Sequence, residues 1–143
     1  MPGFETIIKS LVATVSERIR YLEEMGREFS SFSAFRRADH KTMAAIERDL
    51  EVAIEACIDI GKIIISEKGL RPPESMRDVC QVLYENNFID KKTLKNLEGM
   101  VGLRNILVHL YEKIDAEIIY GVLKRHLKDF NRYLKQILQK LNI

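Results

Sequence analysis

The sequence predicts an all-α fold, an antiparallel helical bundle of four to five main helices, on three observations. Apolar residues recur at intervals of three and four through most of the chain, and no segment alternates apolar and polar residues as a half-buried strand does. Gly and Pro are few, and Gly26, Gly69, Pro72 and Pro73 fall where the periodic segments end. A length of 143 residues fits one domain, residues 1–143, large enough to enclose a core.

The first helix is carried by Phe4, Ile7, Ile8, Leu11, Val15, Ile19 and Leu22 and is expected to stop near Gly26. From Phe29 to Asp39 a mixture of Ser, Phe and Arg reads as a connection holding one short helix. Arg36 and Arg37 there are candidates for phosphate contact, set against the commoner role of a short basic run as a solvated face. The longest helix runs from His40 to about Lys68 through Met43, Ile46, Leu50, Ile54, Cys57, Gly61 and Ile64, with Gly69 as its stop. Gly61, in mid-helix, reads as a place where another helix comes close. Glu55 and Asp59, four apart, share a face and are placed to orient a basic group or simply to meet solvent.

Ser75-Met76-Arg77-Asp78 has the form of a capping box with Asp in the Glu position, opening a short helix that ends at Asn86-Asn87. Asp90 starts the next helix, which continues through Leu94 and Leu97 into the stretch Gly102 to Tyr111. Gly99 and Gly102 either bend it or admit another backbone. Asp115 is the expected N-cap of the last helix, with Ile114 and Ile119 as a hydrophobic staple. That helix runs through Val122, His126, Phe130, Tyr133, Ile137 and Leu141, and its spacing makes His126 a packed residue beside the apolar stripe.

The polar residues that stand out are Arg104, Asn105, His109 and Tyr111, set in an apolar helical run. Met100, Leu103, Leu107, Leu110 and Ile114 form the core stripe of that run. Arg104 and His109 are five apart and diverge by about 140° on a regular helix. Asn105 shares a face with His109, while Arg104 and Tyr111 are nearly in line. Val108 is an apolar residue in the polar arc. Groups that diverge in this way cooperate most readily if a second copy of the helix packs across the arc, which predicts a two-fold homodimer. Histidine, with an unperturbed pKa of about 6.5, moves protons near neutrality, and arginine offers a planar fork to phosphate oxygens. The pair suits RNA cleavage, in which a base takes the ribose 2′-hydroxyl proton and a fixed cation stabilises the phosphorane. The plainer roles are an ion pair from Arg104 to Glu98 or Glu112, and a His109 that caps or packs near a helix end.

The three His and two Cys show no metal-ligand spacing, so no metal or other cofactor is expected. Cys57 and Cys80 read as buried small hydrophobes in a reducing compartment. The formal charge of +2 is spread over every helix and gives no footprint of a general nucleic-acid binder, so any RNA contact is local. The start of the chain has no basic head followed by a long apolar run, and no membrane span is indicated; the expected location is the cytoplasm.

The Arg104-x4-His109-x-Tyr111 pattern, with Asn105 after the Arg, resembles the signature of HEPN-domain proteins, specifically the HepT-like toxins paired with MNT-type nucleotidyltransferase antitoxins. Glu55-Ala56-Cys57-Ile58-Asp59-Ile60-Gly61 and the order of helices are similar to that family as well. The resemblance implies a helical homodimer with the signature helices facing each other, acting as a metal-independent ribonuclease. It implies Arg104 and His109 as the catalytic pair and Asn105 as supporting neighbour. It further implies Tyr111 as the residue to which the antitoxin transfers AMP. The alternative is a non-enzymatic helical subunit that binds a nucleotide or a nucleotidyltransferase and uses Arg104 for phosphate recognition alone.

Overall fold

The computed structural model describes residues 2–109 and 115–143. They form α1 (Phe4–Arg27), a short α2 (Phe32–Arg36), α3 (His40–Glu67), α4 (Met76–Glu85), α5 (Lys91–Val108) and a last rod made of α6 (Ala116–Gly121), a π-helical turn (Val122–His126) and α7 (Leu127–Leu141). No strand occurs among the described residues, and no helix among them is long and apolar enough to cross a membrane.

Three of the four side-chain caps that follow, Ser75, Asp90 and Asp115, are those the sequence signals, and Asp39 is a further one. Asp39, Ser75, Asp90 and Asp115 open α3, α4, α5 and α6, each side chain accepting a hydrogen bond from a backbone N–H of the first turn. The box at Ser75 closes one residue further upstream than a regular one. Ser75 Oγ accepts from the Asp78 N–H, but the Asp78 carboxylate accepts from the N–H of Glu74. Gly69 ends α3 with φ at +62°, a conformation that favours glycine.

Asp78 is also the centre of a surface brace. Arg71, in the α3–α4 connection, donates to both Asp78 oxygens at 2.9 Å and to Glu85 at 2.9 and 3.1 Å. Arg71 and the Glu74 N–H hold the Asp78 carboxyl at about 2, below the usual carboxylate range, and Arg71 lowers Glu85 too. A depressed carboxyl strengthens the fold above its unfolded value, about 3.9, and that contribution is withdrawn as the pH falls towards 2. Arg71→Met is therefore expected to flatten the acid limb of thermal stability between about pH 4 and 2, relative to the parent chain.

The core sits between α1, α3, α4, α5 and the last rod, and α1 packs chiefly along α3. Ile46, Leu50, Ile54, Cys57 and Ile64 are fully buried, as the periodicity of α3 requires, and Cys80 joins them. Tyr133 of α7 is buried and donates from its hydroxyl to the Cys57 carbonyl at 2.8 Å, locking the last rod onto α3. Gly61 lies where α3 meets α4. A Cβ there would stand 2.6 Å from Val79 Cγ1 and 3.1 Å from Leu83 Cδ1 of α4. Gly61→Ala is expected to cost about 1–3 kcal/mol through overpacking and to lower the midpoint of thermal unfolding by several degrees.

The last rod departs from the sequence expectation at His126. Buried Ile119, Leu123 and Leu127 follow one another at intervals of four, and the i→i+5 bonding of the π turn accommodates the extra residue. The shift turns His126 off the apolar stripe. It is not a packed histidine: its side chain is 55% exposed, and Nδ1 lies 3.0 Å from Asp129 Oδ2. The same turn carries Lys124, whose ammonium donates to the carbonyls of Gly26 and Phe29 and so closes the C-terminal end of α1.

Candidate active site

α5 turns Leu97, Met100, Val101, Leu103 and Leu107 into the core, all buried. Arg104 leaves this helix close to the core side, and its side chain is only 24% exposed. The sequence offered Glu98 or Glu112 as ion partners for it, but the partner in the structure is Glu55 of α3. Arg104 Nε donates to Glu55 Oε1 at 3.1 Å, a contact across 49 positions of sequence. Nη1 donates to Asn105 Oδ1 at 3.4 Å. Glu55 thus takes one edge of the guanidinium and fixes its plane, and Asn105 lies beside the other nitrogens. Of the two α3 carboxylates placed to orient a basic group, Glu55 does so. Asp59, one turn on, is exposed and lines the groove between α1 and α3.

His109 ends α5. It is the C-cap residue, its N–H donates to the Asn105 carbonyl at 3.0 Å, and its side chain is exposed. Arg104 and His109 therefore leave α5 on different sides, as the helical angle requires, with exposed Asn105 on the face of His109. Two apolar side chains stand uncovered in the same turn, Ile106 at 47% and Val108 at 38% exposure. The sequence singled out Val108 but not Ile106, which sits where an intact apolar stripe hides a second, solvent-facing residue. Tyr111, Leu110 and Ile114 lie outside the described residues.

Gly99 and Gly102 neither meet a neighbouring backbone nor interrupt α5. A Cβ at Gly102 would come within 3.8 Å of an Arg77 guanidinium nitrogen, and one at Gly99 would meet nothing within 4 Å. Arg36 and Arg37 are engaged locally. Arg36 lies over the Phe32 ring and Arg37 donates to Ser33 Oγ, while α2 itself packs on α6 through Phe32, Phe35 and Tyr120.

Residues 15–137 match the family model described as "Ribonuclease HepT-like". The chain belongs to the HepT-like family. Among HepT-like relatives, it is 34% identical over 131 residues to the mRNA nuclease HepT of Shewanella oneidensis, covering 92% of this chain and 96% of that one. Its fold is similar to the tri-AMPylated Shewanella oneidensis HEPN toxin in complex with MNT antitoxin. The TM-score is 0.84 at 33% identity, covering 93% of this chain and 97% of the other. A crystal structure of a toxin–antitoxin with AMP-PNP aligns at a TM-score of 0.85 and 32% identity, over 94% and 98% of the two chains. The HepT-like helices superpose almost end to end, so α3 and α5, which carry Glu55 and Arg104, are family elements rather than additions.

Proposed function

We propose that this chain, as one helical domain spanning residues 1–143, is a metal-independent endoribonuclease. In this reading it is the toxin of a HEPN/MNT toxin–antitoxin pair and acts in the cytoplasm as a homodimer. One observation carries the assignment of roles. Arg104 is held by Glu55 on one side of α5, while His109 stands at the exposed end of the same helix beside uncovered Ile106 and Val108. A second copy packed across that turn buries the two apolar side chains and brings the His109 of one chain towards the Arg104 of the other.

The chemistry follows from those groups. His109 takes the proton of a ribose 2′-hydroxyl, the 2′-oxygen bonds to phosphorus, and the bond from phosphorus to the 5′-oxygen breaks, with a proton returned to that oxygen. Arg104 stabilises the charge that develops on the phosphoryl oxygens, with Asn105 beside it. The products are a 2′,3′-cyclic phosphate and a 5′-hydroxyl. An RNA whose 2′-hydroxyls are replaced by 2′-methoxy groups is therefore expected to resist the chain entirely, as read by gel electrophoresis beside the unmodified strand. Cleavage of the methoxy strand would overturn the mechanism.

The MNT-type nucleotidyltransferase partner restrains this activity at Tyr111. The phenol oxygen attacks the α-phosphorus of ATP, the tyrosine proton is lost, pyrophosphate leaves, and AMP remains as a phosphodiester on the ring. Tyr111 is seven residues from Arg104 in the sequence, and an anion added to it competes for the guanidinium a substrate phosphate needs. Incubation with the nucleotidyltransferase and ATP is expected to add AMP and stop RNA cleavage, and Tyr111→Phe to escape both. Mass spectrometry and the cleavage assay read the two results.

A further inference from the structure

Gly99 has no packing reason to be glycine. It lies inside α5, where glycine weakens a helix, and among the described residues a Cβ there would meet no atom beyond its own stretch of helix within 4 Å. What it borders is a cleft of about 290 Å³ between α5 and the last rod. Met100, Leu103 and Phe130 form the apolar floor, and exposed Ile118 stands on the opposite wall. Asn96 lines the same cleft, and its Nδ2 is buried with no acceptor among the described residues. Buried amide donors are ordinarily paired, and this one has hydrogen-bonding capacity left over. His126, steadied by Asp129, and Lys95 stand at the polar edge.

We propose that this cleft receives one unpaired nucleobase of the RNA strand. The inference rests on the ribonuclease reading and adds a substrate subsite to it. The volume lies at the lower end of ligand pockets, about 300 Å³, which suits a single base better than a whole nucleotide. Apolar walls with few, placed polar groups are how proteins take bases splayed out of single-stranded RNA. Turned towards the cleft, the Asn96 side chain offers its unpaired amide to a ring nitrogen or carbonyl of the base. His126 also borders a neighbouring groove where Lys92, Arg125 and Lys128 stand beside Glu23 and Asp129, and these three cations are offered to the adjoining phosphates. A third groove joins His126 to Asp115, only six residues beyond His109. Six residues reach at most about 22 Å, which bounds the separation of His109 from the Asp115 end of that groove.

The test uses the full chain carrying His109→Ala, which leaves RNA intact, and a fluorescein-labelled single-stranded RNA of mixed sequence, read by anisotropy. Adding Gly99→Leu puts an apolar side chain at the cleft from a position whose Cβ has room, and improves helix propensity; it is expected to weaken binding about tenfold, the scale of one stacked base. Asn96→Leu is expected to weaken binding as well while leaving thermal stability unchanged or raised, since it removes an unpaired buried donor. An abasic strand of equal length is expected to bind all three proteins alike. Equal affinity of the mixed-sequence RNA for parent and Gly99→Leu overturns the subsite and leaves the ribonuclease reading standing. Competition by free AMP without any effect of Gly99→Leu on RNA binding, or a change of oligomeric state on Gly99→Leu, also overturns it. A wild-type chain that neither binds nor cuts RNA overturns both readings.

Discussion

His109→Ala is expected to lower the rate of RNA cleavage by about 10²–10⁴-fold, the usual contribution of a positioned general acid–base group. The fold is expected to survive. His109 is the exposed C-cap residue of α5, and substitutions of exposed residues usually stay within about 0.5 kcal/mol. Its backbone N–H, which closes the helix onto the Asn105 carbonyl, is kept in alanine. The circular dichroism spectrum and the melting temperature therefore serve as internal controls for the kinetic loss. A non-enzymatic subunit that recognises phosphate through Arg104 alone predicts the opposite pattern, with nucleotide binding and any RNA turnover indifferent to His109. Full cleavage by purified His109→Ala would remove the imidazole from the mechanism.

Much of this molecule is legible in the sequence because its helices obey one local rule. Leu97, Met100, Leu103 and Leu107 recur at three and four and are buried, and Ser75, Asp90 and Asp115 each stand where a cap is needed. The divergence of Arg104 and His109 follows from the same geometry. What the sequence does not reveal depends on which helices meet. Glu55 is one of two equivalent carboxylates on α3 until the packing of α3 on α5 selects it, 49 positions from its partner. His126 falls on the apolar stripe of an ideal helix, and only the π turn, which no residue pattern announces, carries it into solvent. Gly99 looks like a bend or a close approach when read alone, and becomes the edge of a cleft only when the space around it is known.

Arg104→Ala is expected to reduce cleavage by about 10²–10³-fold, the loss seen when one preorganised donor to a developing oxyanion is removed. Arg104→Lys is expected to recover little of it. Lysine keeps the charge but not the planar fork that lets Glu55 take one edge of the side chain while other nitrogens face phosphate. The Glu55 ion pair is partly exposed and contributes at most about 1 kcal/mol to stability, so the effect belongs to turnover rather than folding. Glu55→Gln retains one oxygen for the contact and is expected to lower kcat with KM nearly unchanged, the mark of a positioning residue. The decisive measurement mixes two inactive proteins. If Arg104 of one chain works with His109 of the other, a heterodimer of Arg104→Ala and His109→Ala contains one intact site and one site lacking both groups. Random exchange makes half the dimers mixed, so activity is expected to return to about a quarter of the wild-type level. Differently tagged chains allow the mixed species to be isolated, where half the activity per dimer is expected. A purified mixed dimer as inactive as its parents would mean that both groups act from a single chain, and the assembly of the site across two copies would be wrong.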